Sequence, residues 1–202
     1  MIDRSSYPFL FFSLQGLELV YLENCTLEPP LTFNEFCSLA GMSIVNIEVS
    51  AQMLQRFISK CPKLVNLRLY EYQKDFDSLP GGNKFTFADF LQCVPMIETL
   101  EMSGYYWKMW DNEKLPVQQT PTNFLDPENY SNLKLDHLET LEMKTFNNLT
   151  LEMEFVKLIM DKSPLLKKVR LKHRLVLSVD EELEILSHFR RHHLVLLEEV
   201  NF

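Results

Sequence analysis

The chain is 202 residues long with a net charge of −8, and 46 % of it is apolar against 24 % charged. That length and balance suit one compact domain or one short repeat array with a real core. The acidity gives no general basic footprint for nucleic acid or anionic membrane, and no apolar stretch is long enough to cross a bilayer.

The first pronounced apolar run, "YPFLFFSL", follows Asp3 and Arg4 without a basic region or a small-residue cleavage site. It reads as structure that packs rather than as a signal peptide. Cys25, Cys37, Cys61 and Cys93 show no CxxC spacing. They read as reduced thiols, which predicts a cytoplasmic or nuclear protein. The sequons at Asn24, Asn129 and Asn148 carry meaning only in a secreted chain.

The pentapeptide "ETLEM" stands at 98–102 and again at 139–143. Written as apolar-x-x-apolar-x-apolar, it fits seven places in the chain. These are Leu17/Val20/Leu22, Met42/Val45/Ile47, Leu64/Leu67/Leu69, Ile97/Leu100/Met102, Leu138/Leu141/Met143, Leu166/Val169/Leu171 and Leu197/Val200/Phe202. Three of them follow a proline, Pro62, Pro95 or Pro164, two residues before the first apolar position. Proline stops a helix and launches an extended segment.

Ahead of each proline the apolar spacing is helical. Met53, Leu54, Phe57 and Ile58 form one face; Phe87, Phe90 and Leu91 a second; Phe155, Val156, Ile159 and Met160 a third. Thr86 with Asp89, and Ser178 with Glu181, have capping-box spacing; the latter opens a helix expected to bury Leu183, Leu186 and Phe189. The unit is helix, proline, short strand, loop. Neither half can bury its apolar face alone, so neighbours must stack. The predicted fold is an α/β leucine-rich-repeat solenoid of about seven repeats over 1–202, with parallel strands backed by helices. The longest repeat intervals place insertions at 71–84 and 106–135.

Few constellations suggest chemistry. His188, His192 and His193 have near-helical spacing, but the HExxH pattern is missing, and a polar helix end explains them. "YYWKMW" (105–110) reads as packing before it reads as a stacking platform. Asp180, Glu181 and Glu182 suit a helix start. No motif for a nucleophile, phosphate loop or dinucleotide is present. The expectation is a non-enzyme with no cofactor, no metal and no catalytic residue.

"NCTLEPPLTFNEFCSL", "FISKCPKLVNLRL", "FLQCVPMIETLEM" and "MEFVKLIMDKSPLLKKVRL" resemble the plant F-box/LRR proteins that carry an FBD-type C-terminal region. The FBD-like part is expected at 138–202. The resemblance implies that the repeats hold a protein substrate of an SCF-type E3 ubiquitin ligase. In that family an N-terminal F-box docks a Skp-type adaptor, and no F-box is legible here. Adaptor docking is therefore expected only if an F-box lies upstream or in a partner. The alternative is a repeat fragment of an intracellular immune receptor.

In either case the residue between the second and third apolar positions of each strand faces away from the helices. That column reads Tyr21, Asn46, Arg68, Glu101, Glu142, Arg170 and Asn201. The position two further on adds Glu23, Tyr70, Lys144 and Lys172, with Val49 offset by one. Lys168, Arg170 and Lys172 make a basic end. The expected partner-binding set is Tyr21, Arg68, Tyr70, Glu101, Glu142, Lys144, Lys168, Arg170 and Lys172. Glu101 and Glu142 are expected to be exposed there.

Overall fold

The computed structural model describes residues 12–14, 16–30, 33–47, 49, 51–70, 87–103, 130–147, 150–173, 178–189 and 195–199. The strands are β1 (Leu19–Glu23), β2 (Gly41–Val45), β3 (Asn66–Tyr70), β4 (Thr99–Ser103), β5 (Thr140–Phe146), β6 (Lys168–His173) and β7 (Val195–Glu199). The helices are α1 (Ala51–Ile58), α2 (Phe87–Gln92), α3 (Thr150–Lys162) and α4 (Val179–His188). The strands form one open sheet in chain order, and every neighbouring pair is parallel.

Two backbone devices recur along this α/β sheet. A tight turn precedes the strands: Leu39, Leu64, Ile97, Leu138 and Leu166 donate their N–H to the carbonyls of Phe36, Cys61, Val94, Leu135 and Ser163. Three of these turns contain the predicted prolines at their second position, where a fixed φ suits the turn. One residue after each turn, a single carbonyl accepts two N–H groups from the next strand's entrance. Glu18 takes Ala40 and Gly41, Ala40 takes Val65 and Asn66, and Val65 takes Glu98 and Thr99. Glu98 then takes Glu139 and Thr140, and Glu139 takes Lys167 and Lys168. This ladder fixes the register of successive strands before any side chain is considered.

Side chains then alternate across the sheet. Met42, Ile44, Leu67, Leu69, Leu100, Met102, Leu141, Met143, Val169 and Leu171 join Leu54, Phe57, Ile58, Phe90, Leu91, Phe155, Val156, Ile159 and Met160 in one core. Burying a leucine of this kind contributes about 1.5–3 kcal/mol. No helix connects β1 to β2 over the described residues 24–30 and 33–40. Phe33 and Phe36 fill that place, packing with Phe57 and with Phe12 from the N-terminal apolar run. Residues 7–11 of that run lie outside the described residues.

Two strand registers differ from expectation. On β2, Met42 pairs with Leu67 and Ile44 with Leu69, so the repeat there is Leu39/Met42/Ile44. Ser43, not Asn46, belongs to the outward column, and Val45, not Val49, follows it. Gly41 and Ser43 hid this strand, because such residues read as a turn. A Cβ at Gly41 would meet Leu19 Cδ2 at 2.5 Å, a contact that the exposed Leu19 side chain can relieve by rotating. On β7, Leu196 takes the column position assigned to Asn201, and Leu197 pairs with Leu171. The run "LVLLEEV" offers apolar residues in both phases, so its period cannot choose.

Helix α4 departs as well. The Ser178–Glu181 capping box forms, with Glu181 N donating to Ser178 Oγ and Ser178 N to Glu181 Oε2. Yet Ile185 and Phe189 are buried while Leu183 and Leu186 are exposed. Apolar residues ring this helix, and of the three residues expected to face the core only Phe189 does. Thr86, the other predicted cap, lies outside the described residues. So do residues 71–84 of one insertion and 106–129 of the other. Tyr130, Leu133 and Leu135, assigned to the second insertion, belong to the core.

Candidate functional site

The face of the sheet opposite the described helices is read directly from the pairing. Its central column is Tyr21, Ser43, Arg68, Glu101, Glu142, Arg170 and Leu196. The two copies of "ETLEM" lie side by side, Thr99 against Thr140, Leu100 against Leu141, Glu101 against Glu142 and Met102 against Met143. Repetition therefore sets two carboxylates on adjacent strands, about 4.8 Å apart at the backbone. At that spacing and an effective dielectric of about 20, bare repulsion reaches roughly 3 kcal/mol. The neighbouring strands supply the cations that offset it.

Around Glu101 the partners come from β3 and β5. Arg68 Nε donates to Glu101 Oε1 at 3.0 Å, and Lys144 Nζ stands 3.8 Å from Oε2. The Tyr70 hydroxyl donates to Glu101 Oε2 as well. Lys144 Nζ also sits 4.2 Å from the centroid of the Tyr70 ring, a cation–π contact. Lys144 reaches Tyr70 from two strands away, and its register neighbour on the strand between them is the small Ser103. Burial pushes the Tyr70 hydroxyl up, and the bond to Glu101 adds to it, so the proton stays on tyrosine. The hydrogen bond to Glu101 likewise raises the Arg68 guanidinium.

Around Glu142 the partners come from β6. Lys172 Nζ lies 2.8 Å from Oε1 and Arg170 Nη1 3.3 Å from Oε2. The Glu142 side chain is only 6 % exposed and the Glu101 side chain 14 %, which corrects the expectation that both project freely. Burial pushes the Glu142 carboxyl up, but the hydrogen bond and charge of Lys172, the hydrogen bond of Arg170 and the charge of Lys144 outweigh this. The net displacement is downward from 4.5. A buried carboxylate held by two cations is a scaffold that fixes where those cations point.

The predicted set is thus largely brought together. Arg68, Tyr70, Glu101, Lys144, Glu142, Arg170 and Lys172 form one continuous band across β3–β6. Lys168 lies on the same face at the start of β6, half-buried, and has no ion-pair partner among the described residues. Tyr21 stands apart. It is 63 % exposed on β1, bonded to Glu23, with Ser43 between it and Arg68.

Sequence reasoning missed the strand-end position. Asn24, Asn46 and Thr145 have φ of 51°, 48° and 58°. All three stand directly after positions that follow the central column in register. Asn46 Nδ2 donates to Asn24 Oδ1, and the Asn24 and Asn46 N–H groups bond the Val45 and Tyr70 carbonyls. At Thr145 the register slips between Lys144 and Phe146, a bulge that returns Phe146 to the core opposite His173. Beyond it, Glu152 accepts from the backbone N of Asn147 at 2.7 Å and from its side chain at 3.2 Å. Asparagine between two apolar runs could have signalled this position, because it tolerates the left-handed region. Threonine could not.

Other groups are quieter. All four cysteines are free. Burial pushes Cys61 up to about 12 and raises Cys25 and Cys93. A hydrogen bond to Glu35 raises Cys37. No described thiol is activated by its surroundings. His188 lies 3.6 Å from Glu154 on α3, while His192, His193 and residues 105–110 lie outside the described residues. Among the described residues no group of three or more His, Cys, Asp or Glu could hold a metal ion, and no helix is long and apolar enough to cross a membrane.

A family model, FBD, matches residues 135–171. The matched segment contains β5, α3 and most of β6, and therefore Glu142, Lys144, Lys168 and Arg170. It supports an F-box-associated region in this part of the chain. No curated protein and no solved structure matches the chain.

Proposed function

We propose that this chain is a protein-recognition module, a leucine-rich-repeat array whose sheet face opposite the described helices holds a protein partner. Its role would be that of the substrate-recognition region of an F-box ubiquitin ligase receptor, acting in the cytoplasm or nucleus without catalysing a reaction itself. One observation carries the reading. Arg68, Tyr70, Glu101, Lys144, Glu142, Arg170 and Lys172, from four strands, interlock on the face opposite the described helices. Tyrosine and arginine are the types most enriched at binding hot spots, and here their rotamers are held in place before a partner arrives. The FBD match favours the F-box-associated reading over the immune-receptor alternative.

The test is site-specific photocrosslinking in cells. A photoreactive amino acid at Tyr70 should capture a discrete protein that the same group at Gln52, exposed on α1, does not. Identical capture from both positions would overturn the open face as the site. Adaptor binding is a separate matter: the purified chain alone is expected not to retain a Skp-type adaptor, and stoichiometric adaptor in that pull-down would refute this.

A further inference from the structure

Helix α4 stands apart from the recognition face, in the helix layer and outside the segment 135–171 that the family model matches. Its side chains point in three directions. Ile185 and the C-cap Phe189 enter the core, and His188 turns toward Glu154 of α3, 3.6 Å away. Val179, Leu183 and Leu186, spaced i, i+4 and i+7, form a stripe about a third of a turn from Ile185 and about half a turn from His188. They are 71 %, 59 % and 39 % exposed. The stripe therefore looks along the helix layer away from α3, where no helix follows among the described residues. Its borders are acidic. Asp180 and Glu182 flank it on its two sides, Glu184 stands next to Asp180, and none of the three is in an ion pair among the described residues. The helix dipole accounts for acids in the first turn but fades before Glu184. Asp180 and Glu184, four residues apart, repel each other on one side of the helix.

We propose that α4 is a second docking surface, one that takes a basic amphipathic helix of a partner protein. That helix sets its own apolar stripe on Val179, Leu183 and Leu186 and its Lys or Arg side chains against Asp180, Glu182 and Glu184. A helix fits because residues spaced by three and four make ridges that interdigitate with those of another helix, and such anchors are how helical segments are read. Charge complementarity selects the occupant. A second copy of this chain would bring the same carboxylates to the site, whereas a basic helix relieves the repulsion already there. The apolar stripe gives the contact its area, and the acidic borders fix which helices are admitted. This surface is independent of the reading of the sheet face.

The experiment uses the full chain and fluorescein-labelled peptides of about 18 residues, long enough to hold a helix. One repeats Leu at i, i+3, i+4 and i+7 with Lys and Ala elsewhere, a second has the same residues shuffled to destroy the stripe, and a third has Glu in place of Lys. Fluorescence anisotropy reads binding, and sedimentation velocity reads the oligomeric state. The Lys helix should bind, and the shuffled and Glu peptides should bind at least about tenfold more weakly. Leu183→Gln should weaken the Lys helix about tenfold at an unchanged melting temperature, since the side chain it removes is exposed. Glu184→Gln should give a smaller loss and a shallower salt dependence. Absence of binding, equal binding of the shuffled peptide, or indifference to both variants would overturn the proposal. So would a dimer of the chain that Leu183→Gln dissolves, which would make a second copy the occupant. None of these results depends on what Tyr70 crosslinks, so the two surfaces stand or fall separately.

Discussion

Glu101 and Glu142 occupy the same place in identical pentapeptides on neighbouring strands, and they differ in what the next strands bring to them. Glu101 meets a guanidinium that is 53 % exposed and an ammonium that is 40 % exposed, with Tyr70 as a third partner. Glu142 is nearly sealed, and its cations are less exposed, at 35 % and 25 %. The repeat fixes backbone, register and the inward leucines of both copies alike. It does not fix the chemistry of the outward face, which depends on residues that each repeat varies. The two copies therefore separate what the repeat holds constant from what it leaves open to recognition.

The constant part should give the largest effects. Leu100 and Leu141 pair in register and are fully buried. Leu100→Ala and Leu141→Ala should each cost about 2–5 kcal/mol, through lost transfer energy and the cavity left behind. Urea or thermal unfolding would measure this. A difference between the two larger than about 2 kcal/mol would break the equivalence of the copies.

The variable part should divide the same two phrases. Removing the Glu142 carboxylate leaves Arg170 and Lys172 facing each other around a buried gap. Glu142→Ala should cost about 1–3 kcal/mol, below the range for fully buried pairs because both cations keep some water. Glu101→Ala should cost about 0.5–1 kcal/mol, since its partners are more exposed. Equal losses in unfolding experiments would mean that the burial of Glu142 has no energetic consequence.

How far these differences were legible follows from where their causes lie. Strands β3, β4, β5 and β6 could be placed because apolar alternation and, for three of them, a proline turn are local signals. β2 was misplaced because Gly41 and Ser43 break the apolar pattern that marks the other strands. β7 slipped because apolar residues fill both phases of its run. The outward column was legible wherever the register was. Its internal pairing was not: the burial of Glu142 needs residues from β5 and β6 at once, which no window on one strand contains.

Acid should act on the two phrases through Glu142 first. Its carboxyl is held below the ordinary 4.5 in the folded chain, because Lys172 and Arg170 outweigh the burial that pushes it up. A depressed folded value means the contribution is fully present above the unfolded value and is lost as pH falls through the folded one. Stability attributable to this group should therefore be constant above about pH 5 and decline below 4.5. Glu142→Gln should be less stable than the natural chain at neutrality and should show a shallower decline in acid. Melting temperatures followed down to about pH 3 would decide it. Parallel curves for the two chains would show that other carboxylates carry the acid sensitivity.

The smallest predicted effect comes from where the two strands end. In register, Ser103 pairs with Lys144, but only β5 continues into a described left-handed residue, Thr145, with φ of 58°. Two earlier strands meet the same requirement with Asn24 and Asn46, whose side chains bond each other. Asparagine accepts the left-handed region through local hydrogen bonding, whereas the branched Cβ of threonine crowds it, a cost of about 1–2 kcal/mol for an L-residue. Thr145 Oγ1 recovers part of this by donating to the Lys144 carbonyl at 2.5 Å. Thr145→Asn should then stabilise the chain by about 0.5 kcal/mol, and Thr145→Val, equally branched and without the hydroxyl, should destabilise it. Unfolding midpoints for the pair provide the measurement. If asparagine lowers the midpoint, the threonine is held by contacts worth more than the strain, and the bulge that turns Phe146 inward depends on this residue and not on the backbone shape alone.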